Sequence, residues 1–436
     1  MSHIRFWVLA ACGYLAIAVT HANELSISGL EIHRPEVETR DLTNYNIILG
    51  DLSLELKYMG GASYNDNTNR APDRDGIDAE ETINFTNGLG SLIDWPITPY
   101  LRLHVDVAVE WRETVSGENV EGIYLSGNEF LGHNGAHFEL AMPLDDRNLV
   151  TVSDEIGRLA DIHDLSAQET EEEIVYWENI AALQYEYELS QLMKYGLRGE
   201  FRNYWTDSDA YHFIDRDEWT VTTKLRMQVN QALAIEPFMS YSEEIFDHMH
   251  DVTTSGKDNR RGNNDSREFQ LGVAGDYRVA QAAELQYSIG YQWLDFANDA
   301  FPRKANDDHT EGVFGRLALD QEVTRNFQHR IEGKVWRESS LAPDVNHAEI
   351  YGAYYSFEYE FAADWAFETR LGWEHRNESD RGENWGQLFT EVFALHYVLS
   401  PKTTLSLWYS RADKESDLFM REYAQNIVGM QVIHRF

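Results

Sequence analysis

Residues 101–111 carry ionisable side chains in regular alternation with apolar ones. Arg102, His104, Asp106 and Glu110 occupy even positions, and every odd position is apolar. Successive side chains of a β-strand point to opposite faces, so a strand here has one apolar face and one charged face. A helix would scatter the same charges around its circumference. The chemistry expected of such a face is electrostatic, namely contact with water, ions and polar solutes.

The same alternation recurs along the chain and predicts one aqueous interior surface that carries both charge signs. Mixed charge favours hydrated or polar solutes over strong selection of one ion sign. The alternative, in which these charges only bind the inner wall together, remains open, and both roles are compatible. The positions predicted to line the interior are Glu55, Lys57, Arg102, His104, Asp106, Glu110, Arg112, Arg198, Glu200, Arg202, Lys224, Arg226, Glu332, Lys334, Glu358, Glu368, Arg370 and Glu374.

Signals for catalysis or metal binding are weak. The sequence contains no Gly-x-Ser-x-Gly elbow, no His-Glu-x-x-His motif and no phosphate-binding loop. Residues 247–251, Asp-His-Met-His-Asp, hold the ligand types that transition metals use, but alternate histidines in a loop form no defined motif. We therefore predict a protein that is not an enzyme and has no cofactor and no metal site.

The elements that position these side chains are predicted to be strands of a closed barrel. About eighteen segments of alternating polarity have the length that a tilted strand needs to cross a bilayer. Short turns, such as 143–148 and 400–402, alternate with long polar connections, such as 115–135 and 244–267. This pattern predicts an all-β fold: a single closed antiparallel transmembrane β-barrel with short periplasmic turns and long extracellular loops. Closure leaves no unpaired strand edge in hydrocarbon.

Composition agrees with a barrel. The 436 residues carry a net charge of −38 and a mean hydropathy of −0.49, which excludes a bundle of apolar membrane helices, and so acidic a chain gives no reason to expect nucleic acid. Much of the negative charge is predicted to lie in solvated loops, and Glu178, Asp413 and Glu415 are assigned there. Six tryptophans near predicted strand ends are expected to lie at the membrane interfaces: Trp95, Trp111, Trp205, Trp219, Trp293 and Trp373.

Three regions are expected along the chain. Arg5 followed by the apolar run 6–19 predicts a signal peptide over 1–22. An alternative is a lipoprotein box ending at Cys12, the only cysteine. Residues 23–50 have weak periodicity and are predicted to be an N-terminal extension or a short plug, and 51–436 are predicted to form the transmembrane β-barrel.

The C-terminal segment 428–436 resembles the closing strand of Gram-negative outer-membrane proteins, although His434 departs from its apolar alternation. Segments 60–68, 84–89 and 148–154 resemble barrel porins found with exopolysaccharide export loci. The resemblance implies a place in the cell outer membrane, in contact with its lipid and lipopolysaccharide. It also implies an assembly signal at Phe436, read by the barrel-assembly machinery.

The function predicted from these observations is that of a monomeric outer-membrane porin. It would pass polar solutes, a saccharide or an exported polysaccharide, by diffusion through a lumen of mixed charge. Two alternatives are a plugged barrel that acts in surface binding or adhesion, and a hydrolase with serine, histidine and acidic residues at the loop rim.

Overall fold

The structure is a computed structural model, and it describes most of the chain from residue 47 onward. The described residues are 47–49, 51–67, 79–98, 101–116, 122–125, 135–160, 175–207, 212, 214–247, 249–252, 258–261, 265–297, 309–340, 345–379, 385–416 and 422–436. The predicted signal peptide lies outside them, and of the predicted extension over 23–50 only Ile47–Leu49 is described, as a short strand paired with the start of the barrel.

Eighteen long strands form the barrel, and we number them in chain order. Their alternating side chains suit a sheet that has a different environment on each face. The strands are β1 Leu52–Asn65, β2 Thr82–Thr98, β3 Leu101–Ser116, β4 Ala136–Pro143, β5 Asn148–Ala160, β6 Val175–Ser190, β7 Met193–Thr206, β8 Arg216–Gln228, β9 Leu233–Phe246, β10 Ser266–Ala280, β11 Ala283–Phe296, β12 His309–Thr324, β13 Phe327–Ser339, β14 His347–Ala362, β15 Trp365–Glu378, β16 Trp385–Ser400, β17 Thr403–Ser416 and β18 Tyr423–Arg435.

Each strand pairs antiparallel with its sequence neighbours, and β18 pairs with β1 to close the cylinder. In the closing ladder Lys57 lies opposite Arg435 and Asn65 lies opposite Ile427. The backbone N–H of Phe436 also donates to the carbonyl of Leu56 at 3.1 Å. The predicted closed antiparallel barrel of eighteen strands is confirmed.

Connections differ between the two rims. Two to four residues separate the strands at one rim, and six to nineteen separate them at the other. Two of the short turns are fixed by their own side chains. The Asp145 carboxylate accepts the backbone N–H groups of Arg147 and Asn148, both at 2.8 Å, and Asn230 Oδ1 accepts those of Ala232 and Leu233. The hydrogen bond from the Arg147 N–H is the largest contribution that lowers the pKa of Asp145.

Besides Ile47–Leu49, three other short strands of the described residues lie outside the eighteen. Gly122–Tyr124 pairs with residues 110–112 of β3, which lie closer to the long-connection rim than the residues that pair with β4. Leu125 forms an isolated β-bridge with Arg158. Met249–Val252 and Asp258–Arg261 form a separate hairpin in the connection between β9 and β10. Within the described residues, no helix has the length and apolarity needed to cross a membrane.

The prediction that Glu178, Asp413 and Glu415 belong to loops is wrong. Glu178 lies in β6, and the other two lie in β17. Backbone pairing continues beyond the apolar stretch of each strand, because ladder hydrogen bonds do not depend on which side chains the strand carries. Polarity alone therefore made these predicted strands too short.

The barrel's outer face is apolar. Leu89, Trp111 and Leu271 expose more than half of their side-chain surface there. The strand register places all six predicted interface tryptophans on this face. Trp95 lies near the short-turn rim, and the other five lie toward the long-connection rim. This is the distribution that two aromatic belts require.

Candidate functional site

Strand register brings every predicted interior residue onto the inner face. Lys57 lies opposite Gly90, which lies opposite Ala108, and Lys334 lies opposite Gly352, which lies opposite Glu374. A cavity of about 790 Å3 lies inside the barrel. Those predicted residues that line this cavity are Arg198, Glu200, Arg202, Lys224, Arg226, Glu332, Lys334 and Arg370. Those on the same face outside the cavity lining are Glu55, Lys57, Arg102, His104, Asp106, Glu110, Arg112, Glu358, Glu368 and Glu374.

Opposite charges are paired on the part of the wall formed by β6 to β10. Arg202 Nε lies 3.6 Å from Glu178, and Arg202 Nη2 lies 3.9 Å from Glu200. Lys224 Nζ lies 3.7 Å from the carboxylate of Glu236 on the next strand. The charges are therefore neutralised over short distances, and their field in the lumen is local.

A denser network crosses β12 and β13. The Glu332 carboxylate accepts two hydrogen bonds from Arg316, from Nε at 2.7 Å and from Nη2 at 2.9 Å. It accepts two more from Arg330, at 3.0 and 3.2 Å. The Arg330 Nη1 group also donates to both oxygens of Asp320, at 2.7 and 2.6 Å. One partly buried carboxylate thus holds two arginines in position by charge-assisted bonds, which are among the stronger hydrogen bonds in proteins.

On β15 the carboxylate of Glu368 lies between an arginine and a histidine. Arg370 Nη2 donates to one of its oxygens, and His396 Nε2 lies 3.5 Å from the other. Nearby, Arg376 Nη1 donates to Glu338 at 2.8 Å, so β15 is also tied to β13 across β14.

Part of the inner face is apolar. Met59, Ala108 and Ile433 are buried there, and Trp408 packs against them. Alternation predicts polar side chains at these positions, so the sequence reading missed this strip. On the same side of the barrel, Arg435 Nε lies 3.2 Å from Glu55 Oε1 and Lys57 Nζ lies 3.6 Å from it.

Aromatic rings lie over glycines on the cavity wall, another feature that alternation does not reveal. Phe238 and Phe314 have ring centroids 6.1 Å apart and flank Gly272 and Gly290 in one row across β9 to β12. A Cβ on Gly272 would lie 2.8 Å from Phe238 Cζ, and one on Gly290 would lie 2.5 Å from Phe314 Cζ. The missing side chains therefore let both rings lie close to the backbone. We call Phe238 and Phe314 the aromatic platform.

A second aromatic group lies on β13 and β14. Lys334 Nζ sits 4.1 Å from the ring centroid of Trp336 and 5.1 Å from that of Tyr354, distances typical of cation–π contacts. The Tyr354 hydroxyl donates to Glu374. In the sequence, the only signal for this aromatic group is that Gly352 and Tyr354 occupy consecutive inward positions on one strand.

The histidine-rich segment over 247–251 lies partly outside the described residues, since His248 is not among them. In the part of the chain that the structure describes, no group of three or more His, Cys, Asp or Glu side chains could hold a metal ion.

Comparison with known proteins supports the architecture. No family model and no curated protein matches the sequence. Among solved structures, a BenF-like porin from Pseudomonas fluorescens Pf-5 superposes with a TM-score of 0.51 at 9% identity, covering 89% of this chain and 100% of that one. The chain has the fold of a porin.

Other solved structures are similar at a lower level. Pseudomonas aeruginosa OccK5 (OpdH) gives a TM-score of 0.48 at 9% identity, covering 89% of this chain and 99% of its own. Acinetobacter baumannii OccAB4 gives 0.47 at 11% identity, with 91% and 100% covered. At such identities the likeness concerns the fold alone.

Proposed function

We propose that this protein is a monomeric, non-catalytic channel of the Gram-negative outer membrane that passes polar solutes. The observation that carries the proposal is the division of one closed sheet into an apolar outer face and an inner face of paired charges around a cavity of about 790 Å3. Only a membrane gives such an outer face a favourable environment, since monomeric soluble proteins rarely expose apolar patches larger than a few hundred Å2.

Orientation follows from the rims. The short turns and both ends of the barrel lie at one rim, which we place in the periplasm, and the longer connections then face the cell exterior. In this orientation Phe436 sits at the periplasmic end of β18, where the barrel-assembly machinery would read it as an assembly signal.

We further propose that the favoured solutes are saccharides, including segments of an exported polysaccharide. A sugar ring has apolar C–H faces and a rim of hydroxyl groups. In the aromatic platform the partly buried ring of Phe238 offers apolar surface, and Phe314, which is only 7% exposed, packs beside it. Inward amides and charges such as Gln286 and Glu268 lie within the same cavity. Sites of this kind, apolar with a few placed polar groups, are typical of small-molecule recognition.

A second candidate function is surface binding by a barrel whose lumen is closed. It is favoured by apolar side chains that are almost fully buried on the inner face toward the long-connection rim. Leu294 and Ile350 retain 2% and 1% of their exposure, and Phe246 retains 2%. A lumen open over its full width would leave such side chains exposed to water.

Planar-bilayer recordings separate the two candidates. We expect discrete open steps that a linear oligosaccharide blocks in a concentration-dependent manner. Phe238→Ala should weaken the block about threefold to tenfold, as expected for losing about 0.5–1.5 kcal/mol of aromatic contact. Phe361→Ala is the matched control, because Phe361 is an exposed aromatic residue on the outer face.

Absence of any step from correctly folded protein would refute the channel and favour the binding function. Steps that no saccharide blocks, or a block that Phe238→Ala leaves unchanged, would refute the saccharide assignment while retaining the channel.

A further inference from the structure

The wall of the barrel is parted between β12 and β13 toward the long-connection rim. The ladder between these strands runs from the pair formed by Thr324 and Phe327 to the pair formed by Gly315 and Val335. Within the described residues, it ends at that second pair. Beyond that point β12 continues to pair with β11 as far as His309, and β13 continues to pair with β14 as far as Ser339. Both strands therefore persist while their mutual pairing stops.

The free end of β13 lies inside the barrel. The Gln292 side chain on the inner face of β11 accepts the backbone N–H of Arg337 at 3.2 Å and donates to its carbonyl at 2.7 Å. The Ser339 hydroxyl donates to Glu244 on β9, four strands away. The rings of Phe296 and His347 stack with centroids 5.9 Å apart, so the start of β14 follows β13 inward.

Arg337 occupies the space that the parted strands leave. Its Nη1 donates to the Val313 carbonyl at 3.3 Å, and its guanidinium also pairs with Glu349 on β14. The guanidinium occupies the space that a Cβ atom of residue 312 would fill. This space is available because residue 312 is a glycine. A side chain thus satisfies a β12 carbonyl in place of a ladder partner.

We propose that residues 336–340 and 345–350, the end of β13 and the start of β14, form a flap that moves between two positions. The proposal rests on the proposed channel function, which it deepens by naming how passage is controlled. In the inner position, seen here, the flap covers the inner faces of β9 to β11 and narrows the lumen. In the wall position β13 continues its ladder with β12, Ser339 lies opposite Glu311, and the lumen widens.

Local chemistry suits both positions. In the inner position the side chain of Gln292 imitates a strand partner for Arg337, and Leu294 and Ile350 are buried. In the wall position the continued register sets Trp336 opposite Phe314 on the inner face. The backbone groups of Arg337 and the Val313 carbonyl, which form hydrogen bonds to side chains in the inner position, then regain backbone partners on the neighbouring strand.

Two crosslinks that share one position test the flap. Both are made in a Cys12→Ser background. The first, the wall pair, combines Ser339→Cys with Glu311→Cys. It can form a disulfide only in the wall position, because the Cβ atoms of cross-strand partners approach to about 5 Å there. Ser339→Cys with Glu244→Cys, the inner pair, is joined by a short bis-methanethiosulfonate reagent and holds the inner position. Thr222→Cys with Ser240→Cys, adjacent strand partners, is the control crosslink.

We expect both the wall pair and the inner pair to crosslink in protein embedded in lipid vesicles, measured by mass spectrometry. The wall crosslink should raise single-channel conductance at least twofold over the inner crosslink, reduction should restore the wild-type level, and the control crosslink should change nothing. Failure of the wall pair to form while the inner pair forms fully would refute the flap. Equal, non-zero conductance of the two crosslinked proteins would refute its control of passage.

These outcomes are distinct from failure of the channel function. Crosslinking is read without any current, so a protein that carries none still reports whether the flap occupies two positions. Absence of current in every variant, with both crosslinks formed, would refute the channel function and the gating role while leaving the movement established.

Discussion

Removing the carboxylate of Glu332 should destabilise the barrel and change its ion preference together. Glu332 accepts four hydrogen bonds from two arginines, and its side chain is only 10% exposed, whereas Arg316 and Arg330 are 33% and 29% exposed. Glu332→Ala leaves Arg316 without its bidentate acceptor and leaves Arg330 with Asp320 as its remaining carboxylate.

The cost can be bounded from this geometry. Breaking a fully buried ion pair costs about 3–5 kcal/mol, and breaking an exposed pair costs about 0–1 kcal/mol. Because both guanidinium groups retain about a third of their exposure, water recovers part of the lost interaction. We therefore expect Glu332→Ala to lower the free energy of unfolding by about 2–3 kcal/mol, and Glu332→Gln, which keeps one acceptor oxygen, by about half as much.

The assay is reversible urea unfolding in lipid vesicles, followed by reversal-potential measurements under a salt gradient. Glu322→Ala is the matched control: Glu322 faces inward on the strand that carries Arg316, is exposed, and has no side-chain hydrogen bond to a described residue. The control should change stability by less than about 0.5 kcal/mol. Glu332→Ala should also raise chloride over potassium permeability, because two cations lose a shared counter-charge. Equal stability of the two variants would refute the claim that this network supports the wall.

Three further predictions test other parts of the structure. Gly290→Val should cost about 1–3 kcal/mol in vesicle unfolding, because its Cβ would meet Leu271 O and Phe314, while Gly199→Val, with nothing within 4 Å, should cost little; equal losses would show that the ring does not lie over Gly290. The lowered pKa of Asp145 means that its carboxylate stabilises the β4–β5 turn above the ordinary aspartate range near about pH 4 and loses this effect as pH falls through the lowered value. Asp145→Asn should therefore reduce the thermal midpoint at pH 7 but not at about pH 2, and an equal reduction at both would contradict the carboxylate's role. Deleting Phe436 should lower the outer-membrane level in cells while leaving unassisted refolding into vesicles nearly unchanged, and a parallel loss in both would assign Phe436 to barrel stability alone.

The faces of the sheet were predictable because they follow from a period of two. Once Arg102 and Glu110 are placed inward, register carries the assignment through Gly90 to Lys57 without further assumption. Strand number followed from the alternation of short and long connections. Strand ends were not predictable, as Glu178 shows, because pairing continues where the apolar pattern has already stopped.

Contacts between residues far apart in the sequence could not be predicted, for a different reason. Phe238 and Phe314 are seventy-six positions apart, and only the three-dimensional register reveals that two glycines separate them. The departure of β13 from β12 coincides with a break in the alternation, since Trp336 takes an inward position and Arg337 and Ser339 take the opposite face, but this break does not show where the strand goes. The end of the strand forms hydrogen bonds to the side chains of Glu244 on β9 and Gln292 on β11, which lie far from it in the sequence.

The paired charges of the inner wall bear on which solutes the lumen suits. Where Glu332 joins Arg316 and Arg330, or Lys224 faces Glu236, each charge has a partner within 4 Å, and at 0.15 M salt exposed charges are screened beyond about 8 Å. Under the proposed channel function, a passing ion would meet little net potential, whereas a hydroxyl-rich solute would meet many fixed donors and acceptors at hydrogen-bonding range. Such a wall would favour neutral polar molecules over bare ions, and we predict that removing the Glu332 carboxylate shifts that preference.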